Sequence, residues 1–222
     1  KYADSLLGEV KRAAKLVPVG GNALVVGAHI GTIAIPLSTR CDELVAIEPN
    51  PRAFEVLQLN AAMNGCENMS VANFAANDKE EMLNFVVEYV NSGGSKRKPV
   101  HDMVHQGRTE MIQVPAAPLD AVLEQEFDLV FMDCEGSEYF AFQGMPRILA
   151  RARALIVEFI SRHITEVAGV TIEDFLRPIK DNFNELFIPS TGLRVRREDF
   201  QTALEDMAAK DKADSGIVFR KT

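Results

Sequence analysis

Residues 24–50, LVVGAHIGTIAIPLSTRCDELVAIEPN, decide the fold. The apolar, β-branched run at 24–26 predicts a buried strand, and it leads straight into Gly27-Ala28-His29-Ile30-Gly31. A helix over 31–39 follows, apolar enough to lie on a sheet, with Pro36 as a source of strain or a kink. A second apolar strand over 44–47 ends on an acid, Glu48, 17 residues after Gly31, which leaves room for one helix and one strand. This is the layout of a nucleotide-binding half of an open α/β sheet. Glycines allow a tight turn and close approach of a ligand to the backbone, and an acid at the next strand end can accept hydrogen bonds from ribose hydroxyls. Taken singly, the glycines could be a simple turn and Glu48 a helix cap. Spaced one helix apart, they point to an adenosine-containing ligand.

The pattern extends in both directions. Apolar positions at helical spacing predict an opening helix over 3–17, ended by Pro18 and Gly20-Gly21-Asn22, so 1–22 is a helix and lead-in. After Glu48, Pro51 suits the first turn of a helix that runs to about Asn64, and Asn64-Gly65 closes it. Residues 69–76 read as a third strand. Then 81–90 and 110–114 read as a strand pair around 91–109, NSGGSKRKPVHDMVHQGRT, which is glycine-rich, basic and without periodicity. The βα alternation resumes with a strand over 127–132 ending on Asp133, a helix over 136–150, a strand over 154–159 containing Glu158 and a capped helix over 171–183. Strands at 185–188 and 216–220 flank a charged helix near 197–210. With no repeat and no linker, the expectation is one domain over 1–222 carrying a β-hairpin-like insertion at 79–114 with a flexible basic loop at 91–109.

Composition bounds the function. A chain of 222 residues with 47% hydrophobic and 25% charged residues is ordinary for a soluble globular protein. The net charge of −8 argues against a nucleic acid as partner. No apolar run approaches the roughly 18 residues a membrane span needs, and no signal peptide is visible, so the expected location is the cytoplasm. The three cysteines, Cys41, Cys66 and Cys134, read as buried free thiols of a reducing compartment. Oligomeric state is not readable.

The choice of cofactor follows by elimination. Ala28 stands where a dinucleotide fingerprint needs its second glycine. Tyr2, Tyr89 and Tyr139 are followed four residues on by Leu6, Gly93 and Gln143, so none forms a Tyr-x-x-x-Lys pair. No phosphate-binding G-x-x-x-x-G-K-[ST] occurs. S-adenosylmethionine carries no phosphate and needs only a close backbone approach and a ribose-binding acid, which makes it the best fit.

The blocks VVGAHIG, VAIEPNPRAFEVLQLN, NGCENMSVANFAANDK, APLDAVL, FDLVFMDCEGSEYFAFQGM and ALIVEF, in that order over about 24–159, resemble the FkbM-type family of S-adenosylmethionine-dependent methyltransferases. The EPNP block and D-x-E-G-x-E (Asp133, Glu135, Gly136, Glu138) carry most of the resemblance. It implies a single-domain, Rossmann-like class I fold: a mostly parallel seven-stranded sheet with an antiparallel last strand, helices on both faces and a small β insertion. It also implies O-methylation of a hydroxyl on a sugar or other small molecule. Carried over by position, Gly27, Ala28, His29 and Gly31 would line the methionine part of the cofactor, and Glu48 with Pro49 and Asn50 would hold the ribose. Phe74, Ala75 and Asn77 would lie along the adenine, and Asp133 beside the methyl group. The family pattern opens with D-V-G-A-N-x-G, whereas this chain has Val25 and His29. The acid that would help hold the cofactor's amino group is therefore missing, and Asp133 is a candidate to compensate.

Methyl transfer needs the acceptor oxygen in line with the methyl, and a base for its proton. Asp133, Glu135, Glu158 and His163 are the candidates, His163 for its near-neutral pKa. Its alternative is a surface-loop histidine, and Glu135 and Glu138 could instead cap the following helix. Asp133, Glu135 and Glu158 offer oxygen ligands to Mg²⁺, though no spacing demands a metal. In the insertion, His101 and His105 with Lys96, Arg97, Lys98 and Arg108 form either a lid over the acceptor or a solvated loop. Competing functions are N-methylation, a macromolecular acceptor, or a cofactor- or partner-binding domain without turnover. The first is weakened because Asp133 is followed by Cys134-Glu135-Gly136 and not by Pro-Pro-Tyr.

Overall fold

Two runs of parallel strands leave the centre of one sheet in opposite directions in the computed structural model, which describes residues 2–101 and 107–222, with side chains from residue 7 onward. Helix α1 (Tyr2–Leu16) leads into β1 (Ala23–Val26), α2 (Ala34–Ser38), β2 (Leu44–Ile47), α3 (Pro51–Met63) and β3 (Met69–Ala72). The insertion then supplies β4 (Ala75–Ala76), β5 (Glu81–Glu88), β6 (Lys96–Arg97) and β7 (Thr109–Ala117), followed by α4 (Leu119–Val122). The second half runs β8 (Leu129–Met132), α5 (Glu138–Gln143), α6 (Pro146–Arg151), β9 (Ala154–Phe159), α7 (Ile172–Leu176), β10 (Glu185–Ile188), β11 (Leu193–Arg196), α8 (Phe200–Ala209) and β12 (Asp214–Arg220).

The main sheet has the order β11-β10-β12-β9-β8-β1-β2-β3, parallel from β9 to β3, with β12 inserted antiparallel between β9 and β10. This is the expected Rossmann-like class I fold, with an eighth strand, β11, added at the edge as an antiparallel hairpin partner of β10. The four central strands β1, β2, β8 and β9 are almost wholly buried because helices cover both faces. Alternation along each strand divides the apolar residues in two. Leu24 and Val26 join Phe142, Phe175 and Leu204 on one face, while Val25 joins Ala13, Leu37 and Leu57 on the other.

Several boundaries differ from the expectation, each for a local reason. The strand expected over 69–76 breaks after Ala72. Asn73 donates its side-chain amide to the carbonyls of Glu48 (2.8 Å) and Pro49 (3.2 Å), and β4 joins the second sheet, parallel to β7. The helix expected over 31–39 shortens to α2, where Pro36 falls in the first turn and removes no helical hydrogen bond. The helix expected over 136–150 is two helices: Pro146 starts α6, and Asp120 accepts from the backbone amides of Arg147 (2.5 Å) and Ile148 (3.1 Å) to cap it. Helix α7 is shorter than 171–183 but opens with a complete Thr171/Asp174 capping box. The cysteines are free, as expected, yet half-buried and not fully buried.

The insertion forms the four-stranded sheet β4-β7-β5-β6, in which β5 and β7 pair from Glu81↔Ala116 to Glu88↔Thr109. The described part of 91–109 is tied down on both sides. A 3-10 turn at Ser92–Gly94 leads into β6, and the backbone amides of Val100 and His101 donate to the carbonyls of Val167 (3.2 Å) and Glu166 (3.0 Å). His105 lies outside the described residues.

Candidate active site

Strand order reverses between β1 and β8, and in open α/β sheets ligands bind beyond the strand ends at that point. There the chain leaves β1 through Gly27, at φ +80°, where a Cβ would fall 1.7 Å from the carbonyl oxygen of Asp133. Only glycine lets the two strand ends come this close. The next turn places His29 at φ 48°, a left-handed conformation that histidine tolerates better than most residues. The same strain recurs at Glu135, φ 53°, in the loop after β8.

Glu48, 5% exposed, braces the first loop: one carboxylate oxygen accepts from the backbone amide of His29 and the other from that of Asn50, both at 2.8 Å. Burial pushes its carboxyl up to about 7 against the pull of those two amides. The His29 ring meets the Ser92 hydroxyl at 2.9 Å, so the insertion closes over the glycine loop. Below this roof lies a cavity of about 380 Å³, within the range of small-molecule sites.

Nine of the expected site residues line it: Gly27, Ala28, His29, Glu48, Pro49, Ala75, Asp133, Glu135 and Glu158. Four others do not. Gly31 turns away, a Cβ there meeting Ile35 and Leu57. Asn50 is spent as the N-cap of α3, accepting from Arg52 N at 3.1 Å. Phe74 packs on the apolar core, and Asn77 is fully buried with its amide donated to the Lys79 carbonyl and Glu81 carboxylate. The apolar wall on this side of the cavity is Ala75 and Ala76 with Leu83 and Phe85 of the insertion.

At the β8–β9 side the cavity becomes acidic. Among the described residues, Asp133 Oδ1 and Glu158 Oε2 are buried and accept no hydrogen bond, although His163 Nδ1 stands 3.3 Å from Glu158 Oε2. Burial and the neighbouring carboxylates Glu158, Glu135, Glu138 and Glu9 hold Asp133 well above the usual carboxylate range. Burial, then Glu135 and Glu138, pushes Glu158 up to about 9. Glu138 turns inward to accept from the Cys134 amide of the preceding loop at 2.8 Å, and among the described residues no side chain caps the first turn of α5, so neither Glu135 nor Glu138 is a helix cap. Instead Glu135 faces Lys96 Nζ at 3.6 Å and His163 Nε2 at 3.5 Å, while His163 Nδ1 stands 3.3 Å from Glu158. His163 is thus no surface-loop residue: it opens a π-helical turn (His163–Ala168) with its side chain 12% exposed, and it sits behind the cavity wall between two glutamates. Burial pulls its imidazole below the ordinary value, so it is neutral at neutral pH.

Among the described residues, Glu135, Glu158 and His163 can each bring one ligand atom within 4.8 Å of the others. His163 stands in this group and Asp133 does not, and a nitrogen donor suits a transition metal better than Mg²⁺. A cation other than a metal satisfies the same acids. Two orphaned carboxylate oxygens at one end and a ribose-height carboxylate at the other fit a cavity for a positively charged nucleoside conjugate, which S-adenosylmethionine is.

Glu9, Ser92, Ser95, Lys96 and Ser215 were not expected here. Glu9, Ser92, Ser95 and Ser215 line the cavity, and Lys96 is 8% exposed between Glu88 and Glu135. Lys96 was legible only as part of a basic loop, and Glu9 only as a polar residue of an amphipathic helix. Gly216 inside a strand was the one usable signal for Ser215.

Comparisons with known proteins bear on the family and the fold. The description of the Methyltransferase FkbM domain matches residues 26–189. Among solved structures the chain is similar to methyltransferase FkbM from Methylobacillus flagellatus KT, at 14% identity and a TM-score of 0.54, over 97% of this chain and 52% of that one. It is also similar to precorrin-6y C5,15-methyltransferase from Geobacter metallireducens GS-15, at 10% identity and 0.52, over 98% and 89%. These likenesses concern the fold. A curated relative, the tRNA/tmRNA (uracil-C(5))-methyltransferase of Saccharophagus degradans, is 23% identical over 120 residues, covering 52% of this chain and 32% of that protein. The chain therefore spans about a third of that relative and about half of the FkbM structure. No helix among the described residues is long and apolar enough to cross a membrane. With the domain description covering both halves of the sheet and the acid loop after β8, the chain belongs to the Methyltransferase FkbM domain family of S-adenosylmethionine-dependent methyltransferases.

Proposed function

We propose that the protein transfers a methyl group from S-adenosylmethionine to a hydroxyl of a sugar or other small molecule. The observation that carries this reading is the pair of orphaned buried oxygens on Asp133 and Glu158, backed by His163 and Glu135. When bound, the cofactor supplies a methyl on a positively charged sulfur, which leaves as a neutral thioether once the acceptor oxygen holds the methyl. Glu48 and the backbone of 27–29 hold and orient the adenosine part. Asp133, beside Gly27, orients the reacting end. With the cationic cofactor beside it Glu158 is ionised; it lines the cavity and takes the acceptor hydroxyl's proton, which His163 relays toward Glu135. His163 is thus a positioning and relay residue, one step behind the cavity.

A nucleic-acid acceptor, which the name of the curated relative suggests, is disfavoured by the net charge of −8 and by the acidic cavity wall. The test is formation of S-adenosylhomocysteine over a panel of hydroxyl and amine acceptors, for wild type and His163→Asn. The expected result is turnover with hydroxyl acceptors, a kcat lowered by about 10²-fold in the variant, and an unchanged cofactor affinity. Turnover with amines alone would overturn O-methylation, and an unchanged kcat would remove His163 from the relay.

A further inference from the structure

Three strand steps separate Glu48, at the end of β2, from Glu158 on β9, roughly 14 Å at about 4.8 Å each. The cavity does not stop there. It continues to β12, and its last wall comes from two pieces of chain outside every cofactor motif: Glu9 of α1 and Ser215 of β12. The pairing of β12 with β9 passes from Asp214↔Phe159 to Ile217↔Val157, so Ser215 and Gly216 bulge opposite the single residue Glu158. Bulges re-aim side chains beside binding sites. This one is locked by Asp214, whose two oxygens accept from the backbone amides of Gly216 (2.9 Å) and Ser190 (2.7 Å). Gly216 fits the bulge closely against β9: a Cβ there would lie 3.1 Å from Ile156 Cγ2, and Glu9 Cγ is the next neighbour at 3.9 Å. The re-aimed Ser215 hydroxyl donates to Glu9, which is 8% exposed.

Strand β1 adds no acid, since Val25 is 1% exposed in the apolar cluster with Ala13 and Phe131. The orphaned oxygens of Asp133 and Glu158 make this end of the cavity favour a cation, and Glu9 adds a carboxylate to the same wall. A ligand whose ribose sits at Glu48 reaches this wall with its far end. Resting on the S-adenosylmethionine reading of the cavity, we propose that Glu9, oriented by Ser215, binds the ammonium group of the cofactor's amino-acid end. The opening helix is then part of the cofactor site, and it supplies the carboxylate that β1 lacks.

The test is calorimetric titration of wild type, Glu9→Gln and Ser215→Ala with S-adenosylmethionine, S-adenosylhomocysteine and 5′-methylthioadenosine, which lacks the amino-acid end. Glu9→Gln keeps shape and a hydrogen-bond acceptor but loses the charge. It is expected to weaken the first two ligands by about tenfold or more and leave 5′-methylthioadenosine within about twofold. Ser215→Ala should weaken the same two by less, and it carries the test if Glu9→Gln does not fold. Unchanged S-adenosylmethionine affinity, or equal weakening of all three ligands, overturns the proposal. Wild-type protein that binds none of the three overturns the cofactor reading itself, and is told apart because it does not depend on a variant.

Discussion

At the scale of single residues, Glu48 ties two segments of backbone together at the edge of the cavity. Its two oxygens hold the amides of His29 and Asn50, which fixes the glycine loop against the start of α3. Each oxygen keeps a further lone pair for a ribose hydroxyl. Glu48→Ala is therefore expected to weaken S-adenosylmethionine binding by more than about tenfold in calorimetry. An unchanged affinity would mean that Glu48 is only a brace. The sequence announced Glu48 through its place after an apolar strand. It did not announce that Asn77 would be consumed by the backbone of Lys79 and the carboxylate of Glu81, because that depends on how 77–81 folds back on itself.

At the scale of elements, the join between α5 and α6 decides how β8 is followed. Gly144, the C-cap of α5, lies where a Cβ would come 1.9 Å from the carbonyl oxygen of Asn77, so only glycine there lets the insertion dock. Helix α6 restarts at Pro146, with Asp120 as its cap from 26 residues earlier in the chain. Asp120→Ala should cost about 1–2 kcal/mol of stability, read as a lower urea midpoint at constant slope. A midpoint that does not move would show that the two amides find other partners. The apolar periodicity of 136–150 predicts one helix because periodicity does not register a cap supplied from a distant segment.

At the scale of the molecule, buried carboxylates make the unliganded protein sensitive to pH. Glu48 rises to about 7 and Glu158 to about 9, both above their values in an unfolded chain. The native state therefore holds protons that the unfolded state has released. That stabilisation is complete below about pH 4.5 and is lost as pH rises through 7 and then 9. Glu48 alone contributes roughly 3 kcal/mol to this change. The lowered pKa of His163 acts in the opposite sense below pH 6.5. Unliganded protein should thus melt at a lower temperature at pH 8.5 than at pH 6. A cationic cofactor favours the ionised carboxylates, so its affinity should rise over the same interval, and more for S-adenosylmethionine than for uncharged-sulfur S-adenosylhomocysteine. Affinity that falls with rising pH would show that the acids do not face the cation.

The sequence by itself determined the βα alternation, the position of the glycine loop, the acid after β2 and the acid loop after β8. These are properties of neighbours in the chain: periodicity, turn residues and strand ends that one stretch of sequence contains in full. Only the tertiary structure decided that His163 lies between Glu135 and Glu158, that Lys96 of the insertion reaches the same acids, and that Glu9 and Ser215 close the cavity. The physical reason is that these groups come from elements far apart in the chain, gathered by strand order, by the bulge in β12 and by the docking of the insertion. The value of each lies in a neighbour's charge and in lost solvent, which no local pattern records.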